Sequence, residues 1–109
     1  MFYVYIVTSM KNGTLYIGHT DDLQRRAWEH RNGLVPGFSK KHKCRRLVWS
    51  AAFPTRDEAK TRERQMKNWR RAWKIELIEE DNPGWCDLTE REFPIGRRHY
   101  RVGYDQLAP

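Results

Sequence analysis

Residues 2–7, Phe-Tyr-Val-Tyr-Ile-Val, constrain the fold more than any other stretch of this chain. β-Branched and aromatic side chains crowd the turns of a helix but suit a pleated surface, so the run is predicted to be a strand. Asn12-Gly13 follows as a turn signal, and Leu15-Tyr16-Ile17-Gly18 reads as the returning strand. If Asn12-Gly13 is a two-residue turn, paired residue numbers add to 25, and Tyr16 faces Ser9. Tyr5 and Tyr16 then share a sheet face, offset by four residues, roughly 13 Å along the strand.

Helices are expected after the hairpin. Thr20 or Asp21 can cap a helix beginning near Asp22 and running through Leu23–His30, with Asn32-Gly33 as its left-handed stop. Leu23, Ala27 and Trp28 form its expected apolar stripe. Residues 34–46 read as a loop rich in Gly, Ser, Lys and Arg, and residues 47–53 as a third strand. Thr55 with Glu58 makes a capping box for a second helix. A third helix over residues 70–80 places Ala72, Ile75 and Ile78 on one side, with Trp73 and Leu77 beside them, and ends at Asn82-Pro83. The expected fold class is α+β, a three-stranded antiparallel sheet flanked by helices in the order β-β-α-β-α-α. Residues 1–88 are expected to form the domain, and 89–109 a C-terminal tail or wrapping extension.

Charge narrows the partners. The net charge is +7, and residues 1–50 hold nine Lys/Arg against three Asp/Glu. Such a concentrated field favours a polyanion. Lys40, Lys41, Lys43, Arg45 and Arg46 form a basic run suited to a nucleic-acid backbone, with a solvated surface as the alternative. Cys44 and Cys86 lack CxxC or Cys/His spacing, so no zinc site is expected, and in a reducing compartment no structural disulfide is expected either. The N-terminus opens straight into strand-like sequence, and no apolar run approaches membrane-spanning length. A cytoplasmic protein is expected.

Tyr5, Tyr16, Arg26, His30 and Glu63 carry the candidate chemistry and are expected to converge on one face of the sheet. Arg26 and His30, four apart on a helix, project from one face. Each residue alone is bland; Glu63, for example, has Lys67 at i+4 as an ordinary surface partner. The ordered combination of Tyr3-Val4-Tyr5, Tyr16-Ile17-Gly18, Asp22-Leu23 through Arg26, His30, and Glu58 to Glu63 resembles the GIY-YIG nuclease superfamily. It is most similar to the small stand-alone bacterial members, which are themselves similar to the nuclease domain of the excinuclease C repair subunit. The stretch from Asn82 to Leu88 also looks like those members. Tyr3 stands where the name-giving glycine would be, and Ser50-Ala51-Ala52 where many similar members carry a glutamate.

The resemblance implies a metal-dependent endonuclease that hydrolyses DNA phosphodiester bonds, structure-selective and serving repair or recombination. RNA is the alternative polyanion, and a non-catalytic nucleic-acid-binding module the alternative function. A protein partner supplying specificity is a further expectation. Glu63 would bind Mg2+ (or Mn2+), since one carboxylate and retained waters suffice for Mg2+. Arg26 would neutralise charge on the phosphate, Tyr5 would act as general base with help from His30 and nearby cations, and Tyr16 would position phosphate or water.

Overall fold

The computed structural model describes residues 1–89. Two strands come first, β1 (Phe2–Thr8) and β2 (Leu15–Thr20). Helix α1 (Leu23–Arg31) and the short α2 (Phe38–Lys41) precede β3 (Arg46–Phe53). Helices α3 (Arg56–Lys67) and α4 (Arg71–Asp81) complete the order. The sheet is antiparallel with β1 in the centre, β2-β1-β3. The expected α+β class and β-β-α-β-α-α order are present, with α2 added. That helical turn lies in the segment expected to be a loop, where its four residues carry no helical apolar periodicity.

The hairpin closes differently from the expected two-residue turn. Tyr5 pairs with Gly18 and Val7 with Tyr16, so paired numbers add to 23. Residues 9–14 form the loop, and within it Gly13 N–H donates to the Met10 carbonyl at 2.8 Å. A two-residue hairpin turn of this composition needs positive φ at both central residues. Only Asn12 adopts it, at φ 59°. Arg71 at the start of α4 holds the loop from outside, donating to the carbonyls of Asn12 and Gly13 at 2.7 and 2.6 Å. The change from 25 to 23 preserves parity, so Tyr5 and Tyr16 do share a face. It also halves their offset.

Helix ends follow local chemistry. Asp22, not Thr20 or Asp21, caps α1, its carboxylate accepting from Arg25 N–H at 3.1 Å, and Gly33 stops the helix at φ 69°. Thr55 and Glu58 form the reciprocal capping box of α3. The sheet buries both faces. On one, Tyr3, Tyr5, Val7, Leu23, Ala27, Cys44, Leu47 and Leu88 pack beneath α1. On the other, Val4, Ile6, Ile17, Val48, Ala59, Met66 and Ile78 pack beneath α3 and α4. Trp28 does not join the stripe of α1; it is 56% exposed. Ala72 is likewise exposed, since α4 inserts only Ile78 fully.

Residues 82–88 seal the outer edge of β3. The Asn82 amide donates to the Val48 and Cys86 carbonyls at 3.2 and 2.9 Å, and its oxygen accepts from Cys86 N–H. Asp87 accepts from Leu47 N–H at 3.3 Å. Trp85 enters one core and Leu88 the other, so this segment wraps the strand edge and satisfies groups that would otherwise template pairing. The expected tail, apart from Thr89, lies outside the described residues.

Candidate functional site

Two groups of side chains meet at β2, an outer strand of the sheet. The first lies on the α1 face. Tyr5 stands over Gly18, and its hydroxyl is 2.9 Å from His30 Nε2. The Tyr16 ring lies 6.5 Å from the Tyr5 ring and 5.6 Å from the His30 imidazole, centroid to centroid. His30 and Tyr5 are each only 2% exposed. Arg26, one helical turn before His30, is half-buried, with Nε 3.5 Å from Glu29 Oε1.

Burial sets the protonation of this group. It lowers the His30 pKa to about 4, helped by the positive charge of Arg26 and opposed by Glu29. Burial also pushes the Tyr5 phenol well above the ordinary tyrosine range; Tyr16, Glu63 and Glu29 act in the same direction, and Arg26 opposes them. Both groups are therefore neutral near pH 7. The phenol donates, and Nε2 of a neutral imidazole accepts. This corrects the expectation that His30 and the cations bring the Tyr5 phenol closer to ionising at neutral pH, because desolvation outweighs them.

The second group approaches from the other layer. Glu63 is on α3, whose packing residues Ala59 and Met66 belong to the core on the face away from Tyr5. The expectation of one common face is corrected: Glu63 comes in beside β2 from the opposite layer. Its Oε1 accepts from His19 Nδ1 at 2.5 Å, and its Oε2 is 2.7 Å from Lys67 Nζ. The same Lys67 nitrogen lies 5.9 Å from the centre of the Tyr16 ring, which links the two groups. Burial opposes ionisation of Glu63, but the hydrogen bonds from Lys67 and His19 outweigh it and hold the carboxyl below its usual range.

Sequence reasoning missed His19. Alternation along β2 turns it away from Tyr16 and Gly18, toward α3. Its signal was its place next to Gly18, but its partner lies 44 residues away.

Glu63 supplies a hard oxygen donor, and Lys67 already places a positive charge against it. A divalent cation of the Mg2+ type fits this donor if Lys67 yields one oxygen and water completes the shell. Among the described residues, no three His, Cys, Asp or Glu side chains cluster as a metal cage.

The basic run divides. Lys40, Lys41, Lys43 and Arg45 are exposed around α2, and Arg45 lays its guanidinium against Gly33. Arg46 belongs to β3 and donates to the Trp85 carbonyl at 3.0 Å, so it serves the sealed edge as well. Cys44 is buried and Cys86 exposed, both as free thiols. No helix among the described residues is long and apolar enough to cross a membrane.

The family model of the GIY-YIG catalytic domain matches residues 1–76. A UPF0213 protein of Staphylococcus saprophyticus is 37% identical over 78 residues, covering 72% of this chain and 94% of that protein. A UPF0213 protein of Haloquadratum walsbyi is also 37% identical over 78 residues, covering 72% and 86%. The solution NMR structure of a UPF0213 protein from Bacillus halodurans aligns with a TM-score of 0.50 and 32% identity, over 83% of this chain and 96% of that one. With the strand, helix and motif order all in place, this chain belongs to the GIY-YIG family, alongside the small UPF0213 proteins.

Proposed function

We propose that the protein is a metal-dependent endonuclease hydrolysing DNA phosphodiester bonds, acting in the cytoplasm on structured substrates of repair or recombination. The observation that carries this reading is the meeting at β2 of a buried tyrosine–histidine pair with a carboxylate from the opposite layer. A fold that only bound phosphate would gain nothing from a carboxylate at that meeting point, because a carboxylate repels phosphate.

Arg26 would take phosphate oxygens in its planar fork and neutralise charge that grows in the transition state. Glu63 would hold Mg2+ (or Mn2+), which when bound supplies a Lewis acid at the phosphoryl oxygens. His19 orients Glu63 from behind by its Nδ1 hydrogen bond, and Lys67 balances the carboxylate until a cation arrives. Tyr5 works as a relay rather than as a phenolate. Its oxygen takes a proton from the attacking water while its own proton passes to His30 Nε2. A phosphate anion beside Arg26 offsets the cation that helps keep His30 neutral, and so moves His30 toward accepting that proton. Tyr16, next to both rings, positions the phosphate or the water.

A second reading, a binding module without catalysis, draws support from one feature: both Glu63 oxygens already have protein partners. Single-turnover cleavage of labelled duplex, single-stranded, flap, branched and RNA substrates separates the two. The reactions contain Mg2+, Mn2+ or chelator and are paired with binding titrations in Ca2+. Glu63→Ala should lose at least about 100-fold in cleavage while affinity changes little, because loss of the Lewis acid removes several kcal/mol of transition-state stabilisation. Cleavage that survives in Glu63→Ala would remove the proposed metal site. Tight binding by a wild-type protein that cuts nothing would establish the binding module.

A further inference from the structure

Helix α2 is held firmly yet turns an aromatic ring outward. Its own Ser39 is buried, as are Val35 before it and Cys44 after it, Cys44 N–H donates to the Ser39 carbonyl at 2.8 Å, and Lys43 turns the chain at φ 57°. Phe38 belongs to neither core and is 50% exposed. Its ring stacks on Tyr16 at 6.3 Å and 24°, and the His42 ring lies 4.3 Å beyond it. The aromatic row thus runs from the buried Tyr5–His30 pair through Tyr16 to a solvent-facing Phe38 and His42.

The surroundings of this row specify its occupant. Residues 33–46 contain no Asp or Glu, and Lys40, Lys41 and Lys43 are exposed on and beside α2. Aromatic faces set among cations match a strand of nucleic acid, in which each base offers a π face and each linkage a negative charge. They do not match an apolar protein partner, which would leave the lysines unpaired at the contact. Bases within a continuous duplex are already stacked on one another and present only their edges. Away from a duplex end, only an unpaired base can lie on Phe38.

Resting on the nuclease reading above, we propose that Phe38 and His42 form a stacking site for an unpaired nucleobase beside the scissile phosphate. The substrate class is accordingly single-stranded or junction-proximal nucleic acid rather than uninterrupted duplex. Phe38 holds the base while Lys40, Lys41 and Lys43 track its backbone.

Fluorescence anisotropy in Ca2+ with a labelled single strand and a blunt duplex of the same sequence tests this. Stacking on an aromatic side chain contributes roughly 1–3 kcal/mol per base, so Phe38→Ala should weaken single-strand binding about 5- to 100-fold. Duplex binding should change by no more than about twofold, since this contact is absent there. Phe38→Trp should retain single-strand binding, and Phe38→Leu should lose it while keeping apolar bulk over Tyr16. A 2-aminopurine at the stacked position should be quenched by wild type and by Phe38→Trp, but not by Phe38→Leu. Near-UV circular dichroism confirms that each variant is folded, and Phe38→Leu carries the comparison if Phe38→Ala is not. Equal weakening on strand and duplex, unchanged single-strand affinity, or wild-type behaviour of Phe38→Leu would each overturn the stacking site while leaving the nuclease reading intact. A wild-type protein that binds neither oligonucleotide would overturn both.

Discussion

Gly18 lies directly across the hairpin from Tyr5, and a Cβ at Gly18 would fall 2.5 Å from the Tyr5 hydroxyl oxygen and 2.7 Å from Cζ. The glycine of the Tyr16-Ile17-Gly18 motif therefore has a steric role. It leaves open the space in which the Tyr5 ring lies across β2 and reaches His30. Its backbone needs no special φ, so the requirement is room rather than conformational freedom.

Gly18→Ala should accordingly destabilise the fold by about 1–3 kcal/mol, the usual range for overpacking a buried site. Combining it with Tyr5→Leu should give less destabilisation than the sum of the single changes, because the smaller side chain vacates the contested volume. Urea unfolding of the four proteins measures the coupling. Strict additivity would show that Tyr5 moves aside freely.

Stability should fall on mild acidification through His30. Its folded pKa of about 4 lies below the ordinary 6.5, so between these values the unfolded chain binds more protons and stability rises with pH. The contribution is fully present above about pH 6.5 and is lost progressively as the pH falls toward 4. A drop of about 2–3 kcal/mol between pH 7 and 4.5 is expected. Glu63, also held below its usual range, adds a loss of the same sign at lower pH. His30→Gln, which stays neutral, should flatten the wild-type dependence in urea melts. An unchanged pH profile would mean that His30 titrates as an exposed histidine.

Lys67 should compete with a divalent cation for Glu63. The lysine is half-exposed, so their ion pair contributes no more than about 0.5 kcal/mol, or roughly two- to threefold in binding. Lys67→Met should therefore bind Mn2+ two- to threefold more tightly, as read by electron paramagnetic resonance, and Glu63→Ala should abolish this binding. Weaker Mn2+ binding in Lys67→Met would show that the lysine organises the carboxylate instead of occupying the cation's place.

Salt dependence should report the phosphate track. Replacing Lys40, Lys41 and Lys43 with Ala should reduce the log–log salt slope for single-strand binding by about 2, from roughly 0.7 for each neutralised phosphate. Arg46→Ala should instead lower stability, because its guanidinium holds the Trp85 carbonyl. Wild-type salt slopes in the triple variant would place the track elsewhere.

What the sequence determined by itself was local. Strand alternation put Tyr5 and Tyr16 on one face, and this survived a wrong turn because paired numbers adding to 25 or to 23 have the same parity. Helical spacing put Arg26 and His30 together, and the capping box and Gly33 marked helix ends from neighbouring residues alone. The separation of the tyrosines depended instead on how the whole loop closed, with Arg71 holding it from 58 residues away. The arrival of Glu63 from the opposite layer and its bond to His19 depended on which face α3 covers. Exposure of Trp28 and Phe38, and the fall of the His30 pKa, followed from what packs over each ring. These are properties of distant contacts and of desolvation, which no periodicity encodes. Pattern could name the residues, but packing decided their distances, partners and protonation.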